Sequence, residues 1–225
     1  MKARELTADE TARLLAYFKE RGERFLATHA LLLVMVVTGA RISEVLKLKR
    51  ADFLDASGRL RTRITRRQLK TRNEKKFISK PLQAVVTAPL LEWFDWQKRH
   101  LGAVQKDFAF ATMQDLSEPS RGALYKRMKA ACSALGIDPR GVSPHSTRKT
   151  FAMIEFRAWM EKTGSTMHAA HKVQRLLGHG DINTTLAYLG VNDDDSELLL
   201  DRVGEFLQGT ISAKKEFQPI NSDSK

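Results

Sequence analysis

Apolar residues recur at helical spacing near the start of the chain. Thr7 and Glu10 have the spacing of a capping box, so we predict a helix that begins there and continues to about Arg21. Its buried face would consist of Leu14, Leu15 and Phe18.

A continuously apolar run follows at residues 30–37 (ALLLVMVV). It is far shorter than the ~20 residues that a membrane-spanning helix needs. We interpret it as the centre of a second helix over residues 23–38, buried in the core and ended by Gly39. A short helix is then predicted to begin almost on Arg41.

After residue 51 the pattern is typical of short strands. We expect three of them, at residues 53–54, 60–65 and 77–78. Helical spacing then returns in three segments, at residues 89–99, at residues 121–135 and after residue 143. The predicted fold class is α+β, mainly α: a helical domain that carries a small antiparallel three-stranded sheet.

The aromatic residues and the cysteine of the later helices fit a core. Trp93, Phe94 and Trp96 are more consistent with packing than with base stacking. Cys132 has no histidine or aspartate in a local arrangement that would make it a nucleophile, so we interpret it as a packed thiol. As the only cysteine of the chain, it excludes an internal disulfide framework.

The charge of the chain changes this picture of an ordinary globular domain. A formal net charge of +12 indicates a polyanionic partner, and nucleic acid is favoured over membrane. No apolar leader follows a basic start, so we expect a cytoplasmic location. Residues 59–80 are strongly basic, although a solvated hairpin is the simpler interpretation of a charge run alone.

Two predicted helices begin with a cation, which opposes the helix dipole. Arg41 is one, and Arg148, three residues after His145, is the other. A surface pair between Arg41 and Glu44 would explain the first position. An anion site, built for a phosphate, would explain both.

A histidine and a tyrosine lie on either side of a break in the next helical segment. Tyr188 is nine residues after His179, which would place them on opposite faces of an unbroken helix. Gly178 and Gly180 flank the histidine, and a turn there would bring the two side chains together.

These residue types suit metal-independent cleavage of a phosphodiester. Tyrosine has a reference pKa of about 10 and needs a base, for which His145 is the candidate. Two bidentate arginines would neutralise the phosphoryl oxygens. The departing sugar oxygen needs a proton, and a hairpin lysine is a plausible donor, but spacing alone does not distinguish Lys70 from Lys75 or Lys76.

Four motifs in this order resemble those of the tyrosine recombinase, or phage integrase, family. They are residues 38–45 (TGARISEV), 70–71 (KT), 145–148 (HSTR), and 177–179 (LGH) followed by Tyr188. The resemblance extends over about residues 6–207. It implies a catalytic domain that cuts DNA through a 3′-phosphotyrosine and reseals it in a new partner, without metal, ATP or other cofactor.

The resemblance also assigns residues. The catalytic positions that it matches are Arg41, Lys70, His145, Arg148, His179 and Tyr188, with Glu44 as the supporting acid. Five further basic residues are expected to contact DNA: Arg66, Arg67, Arg72, Lys75 and Lys149. Lys149 departs from the pattern, since the family often has a second histidine there.

The expected organisation is a catalytic domain over residues 1–210 and a disordered basic tail over 211–225. No N-terminal core-binding domain is expected, so the chain resembles the small single-domain recombinases or is a fragment. Residues 193–207 form an amphipathic pattern with an acidic start. In the family a terminal helix, here about 195–208, docks on a neighbouring subunit, which implies a homotetramer on paired sites of double-stranded DNA.

Three other interpretations compete with recombination. A DNA-binding regulator without catalysis would explain the charge, and a type IB topoisomerase would share the chemistry. A metal hydrolase is disfavoured because His168 and His171 lack nearby carboxylates at zinc-site spacing.

Overall fold

The computed structural model describes residues 3–67, 77–113, 116–117 and 120–191. Within these residues the helices are α1 (Ala8–Lys19), α2 (Leu26–Thr38), α3 (Ile42–Val45), α4 (Arg50–Phe53), α5 (Thr87–Leu101), α6 (Arg121–Ala134), α7 (Pro144–Thr163), α8 (Thr166–Leu177) and α9 (Ile182–Leu189). Two strands, β1 (Arg63–Arg67) and β2 (Phe77–Pro81), form an antiparallel hairpin.

The predicted capping box starts α1. The Thr7 hydroxyl accepts a hydrogen bond from the Glu10 backbone N–H, and the Glu10 carboxylate accepts one from the Thr7 N–H. Both bonds satisfy N–H groups that have no partner inside the helix. The predicted second helix divides into a 3₁₀ turn, Gly22–Phe25, and α2, so the apolar run begins a helix of its own.

Helix α2 is the centre of the main core. Residues 28–35 are buried without interruption, and α2 packs against α1, α5 and α7. Trp93, Phe94 and Trp96 of α5 are buried in the same core, as is the Cys132 thiol of α6. These core predictions are confirmed, and the aromatic side chains of α5 serve packing.

The sheet has two described strands instead of the three predicted. Phe53 ends α4, and Leu54 makes only an isolated bridge to Leu60. The Asp52 carboxylate accepts the Lys49 N–H at 2.7 Å, which caps a helical turn where a strand was predicted. The prediction was wrong because a two-residue apolar pair does not distinguish a strand from the end of a helical turn.

A second, smaller core lies between α7, α8 and α9. Its buried residues are Phe151, Ala152, Ala170, Val173, Leu177 and Leu189. Helix α7 belongs to both cores, since it also packs against α2. The candidate residues of α2–α3, α7 and α8–α9 therefore meet along this helix. None of the helices in the described residues is long and apolar enough to cross a membrane.

Candidate active site

The turn between α2 and α3 holds Arg41 next to a buried acid. Arg41 is the N-cap of α3, and its backbone N–H donates to Glu44 Oε2 at 3.1 Å. Its guanidinium donates to Glu44 Oε1 at 2.9 Å, and the Glu44 carboxylate is fully buried. This is therefore no solvated surface pair. Burial lowers the pKa of Arg41, and one carboxylate orients its guanidinium toward the site.

Arg148 is almost completely buried, with 1% of its surface exposed. Its guanidinium donates to the Gly39 carbonyl at 2.6 Å and to the Leu177 carbonyl at 2.8 Å, and it lies 3.3 Å from His179 Nε2. Burial, and then the charge of Arg41, lower the pKa of Arg148 to about 10. One side chain thus joins the ends of α2, α7 and α8, while its Nε atom has no hydrogen-bond partner.

Gly39 makes this junction possible. It adopts a left-handed conformation with φ of 61° at the end of α2, where residues with a Cβ are strained. A Cβ added here would lie 2.2 Å from Cδ1 of Phe151. The close approach of α2 to α7 therefore requires a glycine at position 39. This approach allows the Gly39 carbonyl to accept a hydrogen bond from Arg148.

His179 follows the end of α8, as the flanking glycines predicted. Gly178 has a φ of 70°, and the His179 N–H donates to the Gln174 carbonyl. His179 Nδ1 lies 3.0 Å from the hydroxyl of Thr185, which is buried. Since the Arg148 guanidinium is donor-only, Nε2 accepts from it, so Nδ1 carries the proton and donates to Thr185. Sequence reasoning missed Thr185, because no local pattern distinguishes it from the adjacent Thr184.

Tyr188 projects from α9 between two histidine rings. Its ring meets His145 and His179 edge to face, with centroids 5.7 Å apart in both cases. Its hydroxyl is buried and has no hydrogen-bond partner among the described residues. Burial raises the pKa of Tyr188 to about 12, although the charges of Arg148 and Arg41 oppose that rise. The turn at Gly178 thus brings His179 and Tyr188 together.

His145 occupies the exposed side of the site. It lies in the first turn of α7, after the N-cap Ser143 and Pro144, and its side chain is exposed. Within the part of the chain that the structure describes, the Tyr188 hydroxyl has no hydrogen-bond partner, so His145 contacts the tyrosine through its ring and does not accept the hydroxyl proton in this state.

The structure describes some of the other predicted residues and not the rest. Lys149 follows Arg148 on α7 and is half-buried, and Arg66 and Arg67 lie on β1 opposite Ile78 and Phe77. The remaining predictions lie outside the described residues: Lys70, Arg72, Lys75 and the segment 193–207. The structure therefore brings five of the six catalytic candidates together and leaves the lysine as a prediction.

An open groove of about 420 Å³ begins at the site. Three helix starts form its walls: Arg41, Ile42 and Ser43 of the α3 turn, Arg121, Gly122 and Tyr125 of α6, and Ser143, Pro144 and His145 of α7. None of the described residues that line this groove is acidic. A polyanion that reaches Arg41 and His145 would therefore meet no carboxylate along it.

The fold and the site define a class of mainly helical proteins in which a buried tyrosine hydroxyl lies among two arginines and two histidines. The sequence profile of the phage integrase family matches residues 4–195, so the chain belongs to this family of tyrosine recombinases.

Two curated relatives are recombinases of bacteria. Tyrosine recombinase XerD of Listeria innocua is 26% identical over 188 residues, which cover 83% of this chain and 57% of the relative. Tyrosine recombinase XerD of Halalkalibacterium halodurans is 28% identical over 188 residues, covering 83% of this chain and 56% of the relative. The chain thus spans little more than half the length of these relatives.

Solved structures share the fold. The XerH site-specific recombinase in its post-cleavage complex with palindromic difH DNA matches with a TM-score of 0.66 and 22% identity, over 89% of this chain and 53% of that one. A lambda integrase dimer bound to a COC′ core site matches with a TM-score of 0.57 and 20% identity, over 99% of this chain and 52% of that one. The predicted fold class is confirmed, apart from the strand count.

Proposed function

We propose that this chain is a site-specific DNA recombinase in which Tyr188 is the nucleophile. The observation that carries the proposal is the Tyr188 hydroxyl, which is buried without a hydrogen-bond partner in the described ranges and lies within the field of Arg41 and Arg148. A buried polar group without a partner costs about 1–3 kcal/mol, and such a cost is typical of functional sites.

The arginines supply the charge that the chemistry needs. Attack on a DNA phosphorus places developing negative charge on its nonbridging oxygens, and guanidinium groups neutralise it with directed hydrogen bonds. Arg41 is oriented by Glu44, and Arg148 by two carbonyls and His179. A phosphate between them would lower the repulsion of the two guanidinium groups and accept the unpartnered Nε–H of Arg148.

The proton and electron movements balance in two steps. The Tyr188 oxygen bonds to phosphorus, its proton passes to His145, and the bond to the 5′ oxygen breaks to leave a 3′-phosphotyrosine. The 5′ oxygen takes a proton, for which the family resemblance designates Lys70. Religation reverses both steps with the 5′ hydroxyl of a new strand. His179 has both nitrogens engaged, so its role is to position Arg148.

Covalent trapping tests the proposal. The full chain is incubated with a library of duplexes nicked next to each candidate position, and attached DNA is recovered and mapped by mass spectrometry. We expect a Tyr188 adduct that Tyr188→Phe abolishes while DNA binding persists. Tyr17→Phe is the matched control, because Tyr17 lies on α1 and stacks on Arg21. DNA binding without an adduct would favour a regulator, and relaxation without strand exchange would favour a topoisomerase.

Metal dependence separates this chemistry from metal-assisted hydrolysis. We expect adduct formation to continue in excess chelator, because arginines take the place of the metal in neutralising charge. Adduct formation that stops in chelator and returns with magnesium contradicts the mechanism.

We also propose that residues 193–207 of one copy dock on a second copy to form a tetramer on DNA. A cavity of about 400 Å³ between α2 and α6 supports this proposal, because apolar residues line it and Arg24 and Arg127 lie at its edge. Neither arginine makes an ion pair within the described residues, and burial, followed by the charge of Arg24, lowers the pKa of Arg127. The docking segment combines acids with an apolar stripe.

Charge reversal tests this assembly. Arg127→Glu should lower the tetramer fraction on DNA in analytical ultracentrifugation, and adding Asp194→Arg should restore it. An unchanged tetramer in Arg127→Glu would exclude this cavity as the docking site.

A further inference from the structure

The chain segment before α1, residues 4–6, is bonded to the structure around α7 at two points. The Arg4 backbone N–H donates to the Gly141 carbonyl at 3.0 Å, two residues before the N-cap of α7. The Leu6 N–H donates to the buried hydroxyl of Thr150 at 2.9 Å, in the second turn of the same helix. One short segment therefore brackets the part of α7 that carries both of its catalytic candidates.

The Arg4 side chain strengthens the first of these attachments. Its guanidinium donates to both carboxylate oxygens of Glu10, at 2.7 and 2.8 Å, and to the backbone carbonyls of Asp138 and Arg140, at 3.0 and 3.3 Å. The hydrogen bonds with Glu10 raise the pKa of Arg4 and lower that of Glu10, as expected for charged groups that stabilise each other. Glu10 also caps α1 through Thr7. One arginine thus joins the start of α1 to the loop that leads into α7.

The Gly141 carbonyl connects Arg4 to the first turn of α7. It accepts from the Arg4 N–H and also from the Ser146 hydroxyl, at 3.1 Å. The Ser146 hydroxyl oxygen in turn accepts from the N–H of the N-cap, Ser143, at 3.1 Å. The N–H groups of a first turn have no partners inside the helix, so helix ends fray. His145 lies in this turn with an exposed side chain, so its position depends on these bonds more than on packing.

We infer that residues 4–6 are a positioning element of the proposed active site, which holds the first turn of α7 so that His145 lies against Tyr188. The inference rests on the proposed function, because that function makes His145 the acceptor of the Tyr188 proton. Arg148 depends less on this segment, since it is buried and hydrogen-bonded to the ends of α2 and α8. Sequence reasoning gave residues 4–6 no role, because their partners lie 134 to 144 residues further along the chain.

Histidine NMR tests the positioning without requiring catalysis. In the full chain with isotope-labelled histidine, the ring signals of His145 are identified by their loss in His145→Gln. Arg4→Gln should shift or broaden these signals and leave those of His168 and His171, on α8, unchanged. Arg13→Gln is the matched control, because Arg13 joins α1 to the carbonyl that ends α6 and not to the loop before α7. Unchanged His145 signals in Arg4→Gln overturn the inference.

Thr150 offers a milder variant at the second attachment. Thr150→Val keeps the shape of the side chain and removes the hydroxyl that accepts from Leu6. Thr163→Val is its control, because Thr163 is exposed near the end of the same helix and its hydroxyl donates to the Trp159 carbonyl. Thr150→Val should move the same histidine signals as Arg4→Gln, to a smaller extent, and Thr163→Val should move none of them. Equal behaviour of the two valine variants overturns the role of the second attachment.

Cleavage of a duplex recovered by covalent trapping shows whether the positioning matters for the chemistry. At saturating DNA, Arg4→Gln should slow single-turnover cleavage about tenfold or more, because a small displacement of a catalytic group is costly. Its affinity for the duplex should equal that of Arg13→Gln, which loses the same charge. In His145→Ala, followed over long reaction times, Arg4→Gln should cause no further slowing, as expected for residues that act through each other.

Two failures of this experiment have different meanings. An equal slowing by Arg4→Gln with and without His145 would show a general structural defect and overturn the inference. If no duplex becomes attached to the unchanged protein, the proposed function fails. The NMR comparison alone then decides whether residues 4–6 hold His145 in place.

Discussion

The Tyr188 hydroxyl shows at the scale of one residue how stability and chemistry oppose each other. It is buried without a hydrogen-bond partner from the described residues, and burial raises its pKa to about 12. A side chain selected for packing would be phenylalanine at this position. The hydroxyl is therefore retained at a cost to the free energy of folding.

Tyr188→Phe should therefore stabilise the protein by about 1 kcal/mol near neutral pH while abolishing adduct formation. The pH dependence has a definite sign. The unfolded tyrosine ionises near pH 10 and the folded one near 12, so the folded form binds more protons between these values and its stability falls as pH rises. The free energy of unfolding of Tyr188→Phe should therefore exceed that of the unchanged protein by about 2–3 kcal/mol more at pH 12 than at pH 10.

Denaturant unfolding of both proteins over this pH range measures the effect. Tyr17→Phe controls for the loss of a hydroxyl elsewhere. A Tyr188→Phe variant that is less stable at neutral pH would show that the hydroxyl has a stabilising partner.

Arg148 and Arg50 form a natural comparison at the same scale. Both are buried and donate to backbone carbonyls, but Arg50 bonds Phe94 and Gln97 far from the site. Arg148→Lys and Arg50→Lys should each destabilise the fold by about 1–3 kcal/mol, because a lysine cannot reach both acceptors. Only Arg148→Lys should slow adduct formation, by about 100-fold or more. Single-turnover cleavage rates of the two variants measure this difference. Equal slowing in both variants would contradict the assignment of Arg148 to the active site.

At the scale of the elements, the site depends on how closely α2 approaches α7. Gly39 and Gly102 both end helices in the left-handed region, with φ of 61° and 60°. A Cβ at Gly102 meets nothing within 4 Å, whereas at Gly39 it would overlap the Phe151 ring. The two glycines thus share backbone strain and differ only in packing.

Gly102→Ala should lower the free energy of unfolding by about 1 kcal/mol, because it introduces backbone strain alone. Gly39→Ala should lower the free energy of unfolding by about 2–4 kcal/mol, because the overlap with Phe151 is added to the backbone strain. It should also slow cleavage, because it shifts the carbonyl that accepts from Arg148. Thermal unfolding and cleavage of the two variants measure both effects. Equal destabilisation would mean that Phe151 yields without cost and that the close approach is not required.

At the scale of the whole molecule, the excess of positive charge is the dominant property. The chain carries a net charge of +12, and the described lining of the groove that begins at Arg41 and His145 contains no acid. The described ion pairs, apart from that of Arg41 with Glu44, lie outside this groove. The charge is therefore available to a polyanion.

Affinity for duplex DNA should fall steeply with salt, by about 10³- to 10⁵-fold between 50 and 200 mM if six to ten phosphates are bound. Tyr188→Phe should show the same slope, because it changes no charge at neutral pH. Anisotropy titrations at several salt concentrations measure the slope, and a flat response would argue against an interface dominated by the DNA backbone.

Local patterns in the sequence were sufficient for most of the elements and for naming the candidate site residues. The capping box at Thr7, the glycine that ends α2 and the buried run of α2 are properties of neighbouring residues, so they were predicted correctly. The sheet was predicted with one strand too many, because two apolar residues, 53–54, are too few to show the alternation of a strand. Hydrogen bonds with Asp52 and with the chain around residue 105 hold this segment as the end of a helical turn.

The sequence by itself determined which side chains are candidates for the chemistry, since cations at helix starts and a histidine between glycines are visible without coordinates. Only the tertiary structure decided what surrounds them. Arg148 joins three helix ends and fixes the tautomer of His179, which donates to Thr185, and the Tyr188 hydroxyl lies buried without a partner among the described residues. These relations join segments more than a hundred residues apart or depend on burial, which is a property of the packed molecule and not of any local pattern.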